Sequence, residues 1–136
     1  MKFDGIISFH FSARHKLLFC NEYHGSIIKV HEVSQDFAVL DNLTVIDTVE
    51  TNGYSPMVEL TQKNILFQGG VEGVAAIDLR SKHVIARFSI NETVKSLCLT
   101  GDGRKLMVLG KSYDVDRYVN KLYTINLTKV EYEQLS

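Results

Sequence analysis

The 136-residue chain is 45% hydrophobic and 23% charged, with fifteen basic residues, sixteen acidic residues, two cysteines and one proline. This length permits one domain, residues 1–136, whose core needs neither a disulfide framework nor a structural metal, and the composition is too apolar for a disordered segment. The formal charge of −1 argues against a protein that mainly binds nucleic acid or an anionic membrane.

Short hydrophobic runs with a period close to two recur along the whole chain. They are rich in β-branched and aromatic residues and are separated by polar breaks, which is typical of strands. No window keeps an apolar stripe at helical spacing, so the sequence predicts an all-β fold of antiparallel strands. In chain order, the predicted strands are 6–11, 16–20, 26–33, 37–43, 56–60, 64–68, 73–79, 83–90, 94–99, 105–109, 121–127 and a weaker 130–135.

These twelve strands fall into three groups of four, and corresponding strands of the groups resemble one another. The first strands begin at Ser8, Met57 and Ser96, with offsets of 49 and 39 residues. A period near forty with four strands per unit is the pattern of propeller blades, and the approximate units are 5–50, 54–92 and 93–136. The aligned segments are SFHFS, MVELT and SLCLT; KLLFC, NILFQ and KLMVL; and IIKVHEV, GVAAIDL and KLYTINL.

The stretch GVAAIDLRSKHVIARFSI, from Gly73 to Ile90, resembles the end of a blade in the WD-repeat propellers and in the related Tyr-Val-Thr-Asn-repeat propellers. In those families, a strand ends in an apolar–Asp pair, and a short basic turn and the outermost strand follow. The dipeptides at this place in the three units are His31-Glu32, Ile77-Asp78 and Ile125-Asn126. Only the middle unit keeps the Asp. The resemblance implies a propeller, whereas the strand count alone also allows a β-sandwich or a closed barrel.

Three blades are fewer than the four to eight of a closed propeller, so two blade faces would lack a neighbouring blade. Large apolar faces are rare on soluble monomers. The sequence therefore predicts a non-catalytic protein-interaction scaffold, a partial propeller that a second copy or another subunit completes. The net charge is −3 over residues 1–50 and +2 over residues 95–136, which would favour a head-to-tail contact. The alternative is a ligand-binding or enzymatic propeller with a small molecule at its central axis.

The segment GKSYDVDRYVN, from Gly110 to Asn120, is predicted to be the longest loop between strands. Long loops on a rigid scaffold are frequent recognition sites, and Tyr and Arg are common at binding hot spots. A tolerated insertion without function is the alternative. The two aspartates lack the Gly and Glu of a calcium loop and are interpreted as a solvated pair. The candidate protein-binding residues are Tyr113, Asp114, Asp116, Arg117 and Tyr118.

Enzyme motifs are absent from the sequence where they can be recognised. QGGVEG lacks the Gly-Lys-Ser/Thr ending of a phosphate loop, and the chain has no GxSxG motif. The five histidines match no metal-binding spacing. We therefore expect no catalysis, no cofactor and no metal. Without a signal peptide or an apolar span in the sequence, we expect an intracellular, cytoplasmic protein.

Overall fold

The computed structural model describes residues 6–22, 24–52, 55–130 and 132. These residues form antiparallel strands and two short 3₁₀ helices, which confirms the prediction of an all-β fold. The strands are β1 (Ile6–Ser12), β2 (Leu17–Glu22), β3 (His24–Val33), β4 (Val39–Asn52), β5 (Met57–Leu60), β6 (Ile65–Gly69), β7 (Gly73–Asp78), β8 (His83–Ser89), β9 (Thr93–Leu99), β10 (Lys105–Asp114) and β11 (Arg117–Asn126). The 3₁₀ helices are Thr61–Lys63 and Leu127–Lys129.

The strands form three propeller-like sheets, each an antiparallel meander in chain order. Blade 1 contains β1–β4, blade 2 contains β5–β8, and blade 3 contains β9–β11. The twelfth predicted strand, 130–135, falls mostly outside the described residues. β4 is longer than predicted, because its polar second half also pairs with β3, as far as the partners His24 and Asn52.

One backbone hydrogen bond recurs in all three blades and fixes their equivalence. The residue that ends the third strand in blade 1, and the residue that follows it in blades 2 and 3, donates its amide to the carbonyl of the residue that precedes the second strand, at 2.8 Å in each case. All three donor residues are buried apolar residues. The donor–acceptor pairs are Val33 with Lys16, Leu79 with Asn64, and Leu127 with Arg104.

This geometry corrects the sequence alignment by one residue in two of the nine segments. PMVEL (56–60), not MVELT, is equivalent to SFHFS and SLCLT; RKLMV (104–108), not KLMVL, is equivalent to KLLFC and NILFQ. The offsets between units become 48 and 40 residues. The alignment slipped because these strands carry apolar residues on both faces, and such a pattern does not fix the register.

Each blade has a leading face, toward the preceding blade, and a trailing face, toward the next one. Blade 2 is covered on both faces. Leu66 and Ile77 on its leading face pack against blade 1, and Ile65 and Phe67 on its trailing face pack in a cluster with blade 3. All five residues of β6 are therefore buried, which explains why the strand begins with three consecutive hydrophobic residues, Ile65 to Phe67, rather than an alternating pattern.

Polar side chains join blades 1 and 2 along the inner strands. The Glu59 carboxylate accepts hydrogen bonds from His10 Nε2 at 2.8 Å and from Ser12 Oγ at 3.2 Å. Gln68 Nε2 donates to Asn21 Oδ1 at 2.8 Å in the same interface. Further contacts join Ser8 to the Ser55 carbonyl, Arg14 to the Thr61 carbonyl and His15 to Asn64. Between the outer strands β8 and β4, Arg87 donates to the carbonyls of Asp47 and Thr48.

The interface between blades 2 and 3 is apolar at the equivalent positions. Val58, Leu60 and Leu99 replace His10, Ser12 and Glu59, and they belong to one hydrophobic cluster. Gly69 permits the close approach of the two blades, because a Cβ atom there would lie 2.5 Å from Val94 Cγ1. The two internal interfaces therefore use different chemistry in the same geometry.

A pH effect is expected from Asp78, which ends β7. Burial tends to raise the pKa of this carboxyl, but hydrogen bonds from the Ser81 hydroxyl and amide, together with nearby Arg80, outweigh it and hold the pKa below its usual 3.8. Because the folded-state pKa is the lower one, this contribution to stability is complete above about pH 5, where the unfolded-state carboxyl is ionised, and is lost as the pH falls through the folded-state value. Asp78→Asn should therefore flatten the dependence of the unfolding free energy on pH between about 5 and 3, measured by denaturant titration. At the equivalent position of blade 3, Asn126 accepts hydrogen bonds from the amide and hydroxyl of Thr128, two residues on rather than three, so an amide side chain can also bond the backbone after the third strand.

Candidate functional site

The segment Gly110–Asn120 is a β-hairpin, and the prediction of a long loop is wrong. β10 and β11 pair from Lys105 and Asn126 out to Asp114 and Arg117. Only the two turn residues, Val115 and Asp116, lie outside the strands. The polar composition of the segment suggested a loop. Beyond Lys111, however, β10 and β11 pair only with each other, and a two-stranded ribbon that packs on no other sheet can form from polar residues.

The hairpin turn is strained. Val115 and Asp116 both have positive φ, 39° and 65°, as a two-residue hairpin turn requires. A β-branched residue is unfavourable in this conformation, which Asn-Gly adopts at little cost. We therefore expect Val115→Asn with Asp116→Gly to raise the free energy of unfolding by about 1 kcal/mol, measured by urea denaturation. An unchanged or lower midpoint would contradict the strain.

A cleft of about 430 Å³ lies beside this hairpin. Its wall is formed by the β6–β7 turn and the β8–β9 connection of the chain on one side, and by Lys111, Ser112 and Tyr118 on the other. Lys111 Nζ lies 4.2 Å from the centroid of the Tyr118 ring. Glu92, which lies in the wall, is buried, and its Oε1 is 3.3 Å from Lys121 Nζ. The cleft therefore offers an aromatic ring and charges of both signs.

Glu92 ties the β8–β9 connection to the hairpin. A hydrogen bond with the Glu92 carboxylate raises the pKa of the Tyr123 phenol, because the bond stabilises the protonated form. The carboxylate also lies over Gly110, where a Cβ atom would be 2.6 Å from Glu92 Oε2. Only a residue without a Cβ atom leaves this space to the carboxylate.

Gly110→Ala should displace the Glu92 carboxylate and lower the free energy of unfolding by about 1–2 kcal/mol. The reason is the loss of the contacts with Lys121 and Tyr123. In a chain that also carries Glu92→Ala, the same substitution should cost less, so a double-mutant cycle measured by denaturation checks the prediction. Equal costs in both backgrounds would contradict it.

The structure places the five candidate binding residues at the far end of the hairpin. Tyr113 and Asp114 end β10, opposite Tyr118 and Arg117 of β11, and Asp116 lies in the turn. Arg117 is exposed, and Tyr118 is 67% exposed where it lines the cleft. Their role in binding a protein stays a prediction. Glu92 was not among the predicted site residues, because only the fold brings it to Gly110 and to the cleft that Lys111 lines.

A second candidate site is the leading face of blade 1, which no sheet covers in the described part of the chain. Phe9 is 71% exposed, Val45 is 52% exposed, and Phe37, which makes an edge contact with Phe11, is 65% exposed. Lys16 Nζ lies 4.8 Å from the Phe37 ring centroid. Equivalent leading faces are buried in blades 2 and 3, so this face has the form of an interface without its second half.

Among the described residues, no group of three His, Cys, Asp or Glu side chains could hold a metal ion. Within the same ranges, no helix has the length and hydropathy needed to cross a membrane.

No family model matches the chain, and no curated protein matches it in sequence. Among solved structures, it is similar to the hydrazine synthase of Kuenenia stuttgartiensis (TM-score 0.69, 14% identity, 97% of this chain and 36% of that one). It is also similar to Sqt1 of Saccharomyces cerevisiae (TM-score 0.66, 12% identity, 95% and 34%). A third match is the β-propeller domain of Cps50 (Swd1) from Myceliophteria thermophila (TM-score 0.63, 11% identity, 92% and 40%).

These comparisons show the fold alone, since every identity is far below 25%. Almost the whole chain matches, yet it spans only about a third to two fifths of the length of these structures. The chain therefore has the architecture of part of a β-propeller.

Proposed function

We propose that this protein is a non-catalytic interaction scaffold, a partial propeller that another protein completes. The observation that carries the proposal is the leading face of blade 1, with its three exposed residues Phe9, Phe37 and Val45. Contiguous exposed apolar surface of this kind marks interaction sites, and aromatic residues are enriched in the core of protein interfaces. A chain from a structure of the mitotic checkpoint complex is among the similar structures, and a similar fold within an assembly of proteins supports the same role.

The hairpin provides a second, more polar contact. Tyr118 and Arg117 are exposed on this two-stranded ribbon, and residues of these types carry much of the binding energy at interfaces. Because Lys111 holds the Tyr118 ring, the aromatic side chain loses little further entropy when a partner binds. We assign the hairpin to the rim of the interaction rather than to its core.

The alternative function, a small-molecule or catalytic site at the central axis, has less support. The His10, Ser12 and Glu59 side chains of the inner strands satisfy one another between blades 1 and 2. The cleft beside the hairpin is open, and its charges balance. The likeness to hydrazine synthase is one of fold and carries no catalytic residue to this chain.

The test measures the mass of the chain isolated from its own cells under native conditions. We expect a complex heavier than 15.4 kDa with a second polypeptide in stoichiometric amount. Phe9→Lys with Val45→Lys should abolish it, whereas His83→Lys, at an exposed residue of the outer strand of blade 2, should leave it intact. A particle of monomer mass, or a complex that survives the Phe9 and Val45 substitutions, would contradict the proposal.

A further inference from the structure

The charged residues of the turns are divided unequally between the two ends of the blades. Because the strands of each sheet are antiparallel, successive turns lie alternately at opposite ends. We call the end with the β1–β2, β3–β4, β5–β6, β7–β8 and β9–β10 turns and the last 3₁₀ helix the basic end. Arg14 donates to the Thr61 carbonyl at 3.0 Å, and a Cβ atom on Gly103 would lie 2.9 Å from Leu60 Cδ1. The turns of all three blades therefore adjoin at this end.

The turn residues of the basic end carry seven Lys and Arg side chains and two acidic ones. The described turns and connections at the opposite end carry three acidic residues and neither Lys nor Arg. β6, with five residues, spans about 17 Å, twice the screening length of about 8 Å at physiological salt, so an anion at the basic end is screened from the acidic end. The basic residues are Arg14, Lys16, Lys63, Arg80, Lys82, Arg104 and Lys129; the acidic residues are Asp36 and Asp102 at the same end, and Glu72, Glu92 and Asp116 at the other.

A cleft of about 420 Å³ opens at the basic end between blades 1 and 2. Lys16, Arg80 and Lys82 line this basic cleft, together with one carboxylate, that of Glu32. The Arg80 side chain is 70% exposed, and its Nε lies 3.6 Å from Asp78 Oδ1. This distance is too long for a hydrogen bond, so Asp78 attracts the guanidinium without occupying that donor. The basic cleft therefore presents a net positive charge to a ligand.

Most of the remaining lining of the basic cleft is aliphatic. Leu17 and Leu79 are buried members of the core, and Leu40 is 39% exposed. No Phe, Tyr or Trp side chain among the described residues lines the cleft, so a nucleic-acid base lacks the usual stacking platform. Cations around aliphatic side chains suit a polypeptide segment that carries carboxylates and an aliphatic residue.

Two of the lining lysines occupy backbone conformations that favour other residues. Lys16 and Lys82 have positive φ, 54° and 60°, and the residue equivalent to Lys16 in blade 2 is Asn64, with φ of 56°. Gly and Asn adopt this conformation at less cost than Lys. Backbone outliers of this kind cluster at binding sites. In the described part of the chain, the Lys82 side chain makes no ion pair, so the fold itself does not require its ammonium group.

We propose that the basic cleft binds a segment of a different polypeptide that is rich in Asp and Glu and carries an aliphatic side chain. In this chain, no two acidic residues are adjacent. Asp114 and Asp116 are as close as its acidic residues come, and Arg117 follows them. A second copy therefore lacks a run of carboxylates to match three cations. The proposal goes beyond the proposed function, because it uses neither the leading face of blade 1 nor the hairpin.

The experiment measures binding of the full chain to a fluorescent peptide of aspartate and glutamate with one central leucine, by fluorescence anisotropy. We expect Lys82→Asn to weaken binding about tenfold, and Arg80→Ser to do the same. Lys129→Asn, which removes the same charge from the basic end in blade 3, should change the affinity less than about twofold. Replacing the peptide's leucine by serine should also weaken binding. Because Asn tolerates positive φ, Lys82→Asn should not lower the midpoint of urea denaturation.

Each contrary outcome has a distinct meaning. Equal affinities of wild type and Lys82→Asn, or an equal loss in Lys129→Asn, would overturn the assignment to the basic cleft. Binding lost together with stability would make Lys82 a structural residue and would overturn it as well. A polyuridine oligonucleotide that binds more tightly than the peptide would contradict a polypeptide ligand. Self-association of the wild-type chain that Lys82→Asn abolishes, measured by sedimentation velocity, would make a second copy the occupant. None of these results changes the proposed function, which the Phe9 and Val45 substitutions test separately.

Discussion

Phe67→Ala should lower the free energy of unfolding by about 3–5 kcal/mol, the range for a large side chain removed from a packed core. Phe67 is fully buried between blades 2 and 3. Its equivalents in the repeat are Phe19, buried between blades 1 and 2, and Met107, half-buried on the trailing face of blade 3. Phe19→Ala should cost about as much as Phe67→Ala, and Met107→Ala less than about 1.5 kcal/mol, because none of the described strands covers Met107.

Urea denaturation of the three variants checks this order. Equal slopes with shifted midpoints would show that stability changed and not the compactness of the unfolded state. A Met107→Ala chain as unstable as the other two would contradict the arrangement, since some part of the molecule would then cover blade 3.

The second large effect concerns the polar contact between blades 1 and 2. His10→Val with Ser12→Leu removes both donors from Glu59 and leaves its buried carboxylate without them, so it should cost about 3–5 kcal/mol. Adding Glu59→Leu should recover most of this loss, because the three side chains then match Val58, Leu60 and Leu99 of the second interface.

Denaturation of the double and triple variants measures the recovery. A triple variant no more stable than the double variant would show that the two interfaces do not share a geometry. Glu59→Leu alone is the matched control, and it should also be destabilising, because it leaves His10 and Ser12 without their acceptor.

Short strands with a dense hydrophobic pattern were predictable from the sequence. The pattern is strong because both faces of β6 and β7 are buried, so nearly every residue is apolar. The same property hid the register, and two segments were aligned one residue away from their structural equivalents. A shift of one residue pairs positions that lie on opposite faces of the sheet. The corrected alignment therefore decides which residues are compared with Phe9 and Phe11, on the leading face of blade 1, and which with His10 and Ser12, which face blade 2.

The candidate sites were harder to predict, for two physical reasons. The polar residues from Lys111 to Asn120 indicated a loop, although cross-strand pairing alone holds them in strands. The leading face of blade 1 is recognisable only by comparison with covered faces, since its residues are as apolar as those of a buried strand. Glu92 was overlooked because its partner Lys121 lies far away in the sequence.

Thiol-labelling rates at six equivalent positions test the central claim most directly. Single cysteines replace Leu17, Leu18, Ile65, Leu66, Lys105 and Leu106, one at a time, in a Cys98→Ser chain. The remaining Cys20 is 2% exposed and burial raises its pKa, so it reacts slowly. We expect fast labelling at positions 18 and 105, on the uncovered leading and trailing faces, and slow labelling at 17, 65, 66 and 106. Position 18 or 105 protected as well as position 66 in the isolated chain would contradict three stacked blades with two open ends.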